Sequence, residues 1–176
     1  HDGFVLFDTK IENPKMPGYH LDFDHVGNLA AACRKRGMRF GVYYSSLLDW
    51  TFTKQPIDSA GDLFLHSDNS KTYCDYCFNH WKEIIDRYRP DVLWGDIGYP
   101  TDPRLEELFD YYYKAVPEGV VNDRWGQWPN YLRNPVGRAL VNSAAKKILK
   151  ENPGKLLDAK YYDFRTLEYT ADWQES

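Results

Sequence analysis

Amphipathic helices alternate with short apolar strands along this chain, and no other feature restricts its fold as strongly. The alternation occurs three times: helix DHVGNLAAACRKRG precedes strand MRFGVYYS, helix 71–88 precedes strand DVLWGD, and a helix opened by Asp102 and Pro103 precedes strand GVVNDRW. Strands that are joined through a helix run parallel, and continuous apolar strands are covered on both faces. The sequence therefore predicts an α/β fold in which helices cover a parallel sheet.

The spacing of apolar residues also predicts which helical side chains face the sheet. They are Val26, Leu29, Ala30 and Cys33 in the first helix, Cys74, Cys77, Trp81, Ile84, Ile85 and Tyr88 in the second, and Leu105, Leu108, Phe109 and Tyr112 in the third. A fourth helix is predicted at about 138–150, and the segment DAKYYDF is predicted as a further strand.

Parallel strands with helical connections occur in open doubly wound sheets and in closed barrels. The chain has neither a G-x-G-x-x-G turn nor a GxxxxGK[ST] phosphate loop, which favours a barrel. A complete (β/α)₈ barrel needs about 200–250 residues, whereas this chain has 176. The sequence therefore predicts one domain over residues 1–176, an incomplete TIM-type (β/α)₈ barrel whose terminal strands are missing.

The charge distribution excludes some classes of partner. The 26 acidic and 22 basic residues are spread along the chain, giving a net charge of −4 and no basic stripe suited to a nucleic-acid backbone. No apolar run reaches the ~18–20 residues that span a bilayer, so neither nucleic acid nor a membrane is an expected partner. The sequence does not begin with methionine, so localisation cannot be read from it, and the oligomeric state stays open.

Cys74 and Cys77 form a CxxC motif, which occurs at zinc and redox sites. Both fall on the predicted buried stripe, Cys33 also lies on an apolar helix face, and no second CxxC stands at ligand spacing. The five histidines show no H-x-H or HExxH pattern. Packing is therefore favoured over a zinc or redox role, and no metal or other cofactor is predicted.

Polar residues gather where the predicted strands end, which is the edge at which parallel α/β proteins bind ligands. Asp96 ends the strand DVLWGD, and Arg124 follows the next strand at the corresponding level, where its charge would keep a carboxylate ionised. The alternative is that Asp96 caps the next helix or pairs with a lysine. Gly95 and Gly98 argue against that alternative, because glycines let backbone and substrate approach closely.

A second carboxylate, Glu168, follows the predicted strand DAKYYDF, and Tyr43, Trp50 and Trp94 stand near the same strand ends. Aromatic faces stack on sugars, although an aromatic share of 16% more often serves core packing. Two carboxylates from different strand ends can cleave a glycosidic bond. One attacks the anomeric carbon or activates water, and the other protonates the leaving oxygen.

Several segments of the chain resemble the α-L-fucosidases of glycoside hydrolase family 29. They are HDGFVLFDTK, DHVGNLAAACRKRGMRFGVYYSSLLDW, RPDVLWGDIGYP, the YYYKAVPEGVVNDRWG region and DFRTLEY, in order and at family-like spacing. The resemblance implies hydrolysis of terminal α-L-fucosyl bonds in fucosylated oligosaccharides or glycoconjugates by a retaining mechanism.

The resemblance also implies roles for individual residues. Asp96 matches the nucleophile that forms a covalent fucosyl-enzyme, and Glu168 matches the acid/base, with Glu175 of DWQES as its rival. The residues that match the sugar pocket are His1, which corresponds to the second histidine of a His-His-Asp-Gly-Phe motif, Tyr43, Trp94 and Arg124. An aromatic pocket suits the C6 methyl group of fucose.

The chain departs from the family pattern in three places. The first histidine of the pair and the N-terminal strands are absent, the closing strands and C-terminal β-sandwich are absent, and residues 126–160 form a longer segment than in some relatives. That segment, with Trp128 and Tyr131, either shapes the leaving-group side or forms a solvated outer helix. The chain is thus interpreted as a barrel fragment with weak or no activity of its own. A non-catalytic carbohydrate-binding relative and a barrel glycosidase for another sugar are the alternatives.

Overall fold

A computed structural model describes residues 2–53, 55–151, 163–165 and 170–174. The elements in chain order are α1 His25–Lys35, β1 Gly41–Tyr44, α2 Ala60–His66, α3 Lys71–Tyr88, β2 Val92–Gly95, α4 Leu105–Ala115, β3 Val120–Asn122, a 3₁₀ turn Asn130–Leu132, α5 Pro135–Glu151, β4 Asp163–Arg165 and β5 Thr170–Gln174. The three predicted helix–strand pairs are confirmed as α1–β1, α3–β2 and α4–β3.

Local capping explains where the helices begin and end. The Asp24 carboxylate accepts a hydrogen bond from the Gly27 N–H at 2.7 Å, so it caps the first turn of α1. The Ser70 hydroxyl does the same for the Tyr73 N–H of α3 at 3.3 Å. Helix α3 ends at the predicted residue, where Arg89 adopts a left-handed conformation (φ 41°) just before a proline. Helix α4 begins at Leu105, slightly later than predicted.

The sheet has the order β1-β2-β3-β4-β5. Strands β1, β2 and β3 run parallel, as the alternation predicted, and their register places Tyr43 opposite Trp94 and Leu93 opposite Val121. Strands β4 and β5 are antiparallel to their neighbours, so the prediction of parallel strands throughout is wrong for this edge. The connection from β4 to β5 is too short for a crossover, which needs about a dozen residues. Because β4 is antiparallel to β3, it begins beside the carboxyl end of β3.

Helices α3 and α4 supply most of the core between helices and sheet. All six predicted inward residues of α3 are buried, and Leu108 and Tyr112 of α4 are buried in the same cluster as four of them, Trp81, Ile84, Ile85 and Tyr88. The stripe of α1 is narrower than predicted: Ala30 is buried, but Leu29 is 52% exposed. Strand β1 is at the edge of this sheet, so α1 has neighbours mainly on its α3 side.

Helices α2 and α5 pack together beyond the sheet. The Gly61 N–H donates to the Asn142 side-chain oxygen at 2.8 Å, and Arg138 forms an ion pair with the buried Asp62. The Phe64 and Trp128 rings contact each other with centroids 4.1 Å apart. The predicted fourth helix is thus α5, which contacts α2 on one face, while most of its described side chains are exposed, as in the solvated outer helix that was one of the two expectations. Helix α2 itself was not predicted. Over the described residues, no helix is long and apolar enough to cross a membrane.

Candidate active site

Asp96 lies immediately after the last residue of β2, at the carboxyl edge of the three parallel strands. Among the described residues, three groups donate to its carboxylate: the Tyr43 hydroxyl at 2.8 Å, the Ile97 N–H at 2.9 Å and the Arg124 guanidinium at 3.3 Å. Its side chain is 19% exposed. The site therefore holds a hydrogen-bonded carboxylate, paired with a cation, that a ligand can still reach.

The register of the sheet brings these partners together. Tyr43 pairs with Trp94 across β1 and β2, and their ring centroids are 6.4 Å apart. The Arg124 guanidinium, which follows β3, lies 5.9 Å from the Trp94 ring centroid, within cation–π range. Burial of the hydroxyl, and then the adjacent Asp96 carboxylate, raise the pKa of Tyr43 to about 12. Tyr43 therefore remains a hydrogen-bond donor at neutral pH.

The backbone turns sharply after Asp96. Ile97 has a φ of 66° and Gly98 a φ of 121°, both in the left-handed half of conformational space. A positive φ is an outlier for a β-branched residue and costs about 1–3 kcal/mol, which the surrounding structure must offset. A Cβ on Gly98 would lie 2.7 Å from the Gly126 carbonyl oxygen, so this turn fits closely against the segment after β3.

Gly95 makes room for a protein side chain, whereas the sequence suggested that it makes room for substrate. A Cβ at this position would lie 2.6 Å from the Trp125 indole, so the space that the glycine leaves is filled by protein rather than open to substrate. The Asn122 side chain also bonds both the N–H and the carbonyl of Gly95. Sequence reasoning missed Asn122 and Trp125. The signal that could have found them is an asparagine directly after the apolar run GVV, followed three residues later by a tryptophan.

Of the remaining predicted site residues, the structure describes only Trp50. His1, Glu168 and Glu175 lie outside the described residues. Trp50 is 52% exposed, and its ring contacts Tyr19 at a centroid distance of 6.1 Å. Within the described part of the chain, no hydrogen bond or ring contact joins Trp50 to Asp96, Tyr43 or Arg124. The expectation that Trp50 stands beside the carboxylate is therefore not supported by a contact.

A cavity of about 340 Å³ lies beside β1, next to the face that carries Tyr43. Its lining includes Asp2, Gly3, Tyr43, Tyr44, Asp49 and His80. Asp49 is 3% exposed, accepts hydrogen bonds from the Thr51 N–H and hydroxyl at 2.8 and 2.6 Å, and has its pKa raised by burial. The cavity connects the segment just after position 1 to the strand that bears Tyr43.

The cysteines belong to the core. Cys74 and Cys77 are buried with free thiols, and burial raises the pKa of Cys74 to about 11 and that of Cys77 to about 12. Cys33 is half-buried and packs against the core cluster that includes Ala30 and Trp81. The described residues contain no cluster of three or more histidine, cysteine, aspartate or glutamate side chains placed to hold a metal ion.

Solved structures of similar proteins share this fold. A Thermotoga maritima α-fucosidase in complex with fucose superposes with a TM-score of 0.64 at 43% identity, over 72% of this chain and 30% of that chain. A Thermotoga maritima α-L-fucosynthase, in complex with α-L-Fuc-(1-2)-β-L-Fuc-N3, gives a TM-score of 0.66 at 43% identity, over 75% of this chain and 32% of that one. The α/β arrangement is thus that of part of these proteins.

Curated sequences agree with the structural matches. Human tissue α-L-fucosidase is 32% identical over 137 residues, which are 72% of this chain and 28% of that protein. A putative α-L-fucosidase of Caenorhabditis elegans is 24% identical over 175 residues, or 96% of this chain and 33% of that protein. The chain thus spans about a third or less of the length of these relatives. The family model described as Alpha-L-fucosidase matches residues 1–174, so the chain belongs to the α-L-fucosidase family, as its sequence resemblance predicted.

Proposed function

We propose that the polypeptide containing these residues hydrolyses terminal α-L-fucosyl bonds of oligosaccharides or glycoconjugates by a retaining mechanism. The observation that carries the proposal is the Asp96 carboxylate, which is partly exposed at the carboxyl edge of a parallel sheet and paired with Tyr43 and Arg124. The names of the relatives, and the fucose complex of the Thermotoga maritima protein, support fucose as the sugar.

Asp96 is the proposed nucleophile. One carboxylate oxygen attacks C1 of the fucosyl unit, the bond from C1 to the leaving oxygen breaks, and that oxygen takes a proton from the proposed acid/base, Glu168. Glu168 then removes a proton from water, which attacks C1 and releases Asp96 from the ester. The Arg124 guanidinium, 3.3 Å from the Asp96 carboxylate, and the Tyr43 hydroxyl at 2.8 Å hold that carboxylate in position for the attack.

Tyr43 and Trp94 are the proposed walls of the sugar pocket. Their ring centroids are 6.4 Å apart, the Tyr43 hydroxyl donates to the Asp96 carboxylate, and Tyr43 is 51% exposed, so a sugar can lie against it. An apolar ring face suits the C6 methyl group, where fucose lacks the hydroxyl that other hexoses carry. His1 is proposed to bind sugar hydroxyls, and Trp50 to contact the substrate farther from the carboxylate.

The three parallel strands are the proposed part of a TIM-type (β/α)₈ barrel, and residues 1–176 are proposed as a single partial catalytic domain. The TM-scores of 0.64 and 0.66 and the parallel register of β1, β2 and β3 support this. The carboxyl edge of such a barrel is where catalytic residues gather, which agrees with the position of Asp96. The 176 residues by themselves are expected to be weakly active or inactive.

The test is release of p-nitrophenol from p-nitrophenyl α-L-fucoside by the longest polypeptide that the coding sequence around these residues specifies. Asp96→Ala should reduce kcat on the order of a thousandfold or more, because it removes the attacking atom. The matched control is Asp110→Asn, which changes an exposed carboxylate on α4 and should leave kcat unchanged. Full activity of folded Asp96→Ala would refute the assignment.

Two further outcomes would redirect the proposal. Fucose binding measured by calorimetry without turnover would indicate a carbohydrate-binding relative. Turnover of another sugar in a panel of aryl glycosides, with none of the fucoside, would indicate a different glycosidase.

A further inference from the structure

Asn122 connects the ends of β2 and β3 through its side chain. It is the last residue of β3 and is 1% exposed. Its amide group donates to the Gly95 carbonyl at 2.8 Å, and its amide oxygen accepts from the Gly95 N–H at 3.1 Å. The Trp125 indole N–H donates to the same oxygen at 3.0 Å. The Asn122 side chain is therefore held between the backbone of one strand and a buried indole.

These bonds continue the sheet where the main-chain ladder stops. The paired register of β2 and β3 ends at Leu93 and Val121, so the backbone beyond needs other partners. The carboxamide of asparagine offers one donor side and one acceptor side, as a peptide group does. Asn122 thus satisfies both polar groups of Gly95, the residue whose peptide bond leads directly to Asp96.

The position of Asp96 depends on this anchoring because the chain on its other side is strained. Ile97 and Gly98 have φ values of 66° and 121°, and strained conformations persist only when their surroundings fix them. Without a partner for Gly95, this end of β2 could relax, and the carboxylate would shift relative to Tyr43 and Arg124. A misplacement of about 1 Å at a reacting group costs about a hundredfold in rate.

We propose that Asn122 is a positioning residue for the reaction, which fixes the Gly95 peptide so that Asp96 meets C1 of the sugar. This inference rests on the proposed role of Asp96 as nucleophile. Among the described residues, the Asn122 side chain is hydrogen-bonded to Gly95 and Trp125 and not to the Asp96 carboxylate.

The principal test is Asn122→Asp, which keeps the shape of the side chain but turns a carboxylate oxygen toward the Gly95 carbonyl in place of the N–H donor. We expect kcat for p-nitrophenyl α-L-fucoside to fall about 10- to 100-fold, while the dissociation constant for fucose changes less than about threefold. A purely structural role would lower the thermal midpoint without this separation of kcat from binding.

A second variant keeps the proposal testable if Asn122→Asp does not fold. Trp125→Phe removes the indole donor to the Asn122 oxygen and keeps an aromatic ring beside Gly95. We expect kcat to fall several-fold in the same direction, again with fucose binding retained. Unchanged kcat in folded Trp125→Phe, or in folded Asn122→Asp, would overturn the proposal.

Asn13→Asp is the matched control. Asn13 is also buried, at 4% exposed, donates to the Thr51 hydroxyl at 2.8 Å and accepts from the Lys15 N–H at 2.8 Å. It should lower the thermal midpoint without lowering kcat, and an equal loss of kcat would overturn the proposal. Activity of the unmodified protein and inactivity of Asp96→Ala are checked first, so failure of the proposed function is distinguishable from failure at Asn122.

Discussion

The Tyr43 hydroxyl donates a 2.8 Å hydrogen bond to the Asp96 carboxylate from the neighbouring parallel strand. Its pKa is raised to about 12, chiefly by burial, so this donor persists through the neutral and moderately alkaline range. Because a neutral donor to a carboxylate both orients it and stabilises its charge, loss of the hydroxyl should weaken catalysis.

We predict that Tyr43→Phe lowers kcat/KM for an aryl fucoside about tenfold, which is the usual effect of one hydrogen bond to a charged group. Because the pKa of Tyr43 is raised to about 12, the pH–rate profile of the unmodified protein should show no loss attributable to Tyr43 in the neutral range. Tyr111→Phe is the matched control, because the Tyr111 hydroxyl on α4 also donates to a carboxylate, Asp86, at 2.5 Å. Equal activities of all three proteins would contradict the prediction.

The turn after Asp96 should tolerate no side chain at Gly98. Its φ of 121° is unfavourable for any L-residue, and a Cβ would lie 2.7 Å from the Gly126 carbonyl. We predict that Gly98→Ala lowers the free energy of unfolding by about 1–3 kcal/mol and also reduces kcat.

Gly126→Ala provides the control in the facing segment, because a Cβ there meets nothing within 4 Å and its φ is not in the left-handed region. It should change the free energy of unfolding by less than about 0.5 kcal/mol. Urea denaturation of both variants measures the difference. If Gly98→Ala is as stable as Gly126→Ala, the close fit of the turn is wrong.

Sequence patterns predicted α1, α3, α4, α5 and the three parallel strands, because those depend on local spacing, but they did not predict the short helix α2. The α3 stripe from Cys74 to Tyr88 repeats at helical intervals, and all its predicted members are buried. The prediction that Leu29 of α1 is buried was wrong. Periodicity cannot reveal that a helix packs at the edge of a sheet and is covered mainly on one side. The local spacing of apolar residues does not encode whether a strand pairs parallel or antiparallel, so the direction of β4 and β5 was not predicted.

The site was predictable in part. Strand ends of a parallel sheet converge, so Asp96 and Arg124 could be expected to meet, and they lie 3.3 Å apart. The contacts of Asn122 with Gly95 and of Trp125 with the same glycine depend on side-chain packing between strands. A sequence shows that a glycine is present, but it does not show whether a substrate or an indole fills the space.

His80 should make stability depend on pH. It is 2% exposed, its ring nitrogens lie 3.2 Å from the Thr9 hydroxyl and 3.5 Å from the Tyr44 hydroxyl, and burial lowers its pKa from 6.5 to about 4. The nearby Glu83 partly offsets this effect. In the folded state the His80 ring stays neutral down to about pH 4, whereas in the unfolded chain it takes up a proton near pH 6.5.

The sign of the effect follows from this difference. Between about pH 6.5 and pH 4 the unfolded state binds more protons than the folded state. The free energy of unfolding is therefore at its full value above pH 6.5, as far as His80 is concerned, and it decreases as the pH falls through this window. The expected contribution is on the order of 3 kcal/mol. Urea denaturation across this range should show a shallower dependence for His80→Gln than for the unmodified protein. His25→Gln, an exposed change on α1, should keep the original slope, and equal slopes for all three would contradict the prediction.

The last prediction separates Glu168 from Glu175 as the acid/base. A general acid matters most when the leaving oxygen is a poor leaving group, because an acidic phenol departs without being protonated. We therefore predict that Glu168→Ala lowers kcat/KM for a fucosylated disaccharide about 100-fold or more, lowers that for p-nitrophenyl α-L-fucoside much less, and removes the alkaline limb of the pH–rate profile. Glu175→Ala should leave the ratio of the two substrates unchanged. A selective loss on the disaccharide in Glu175→Ala, with a normal ratio in Glu168→Ala, would transfer the role to Glu175, because only the residue that protonates the leaving oxygen can change the dependence on the leaving group.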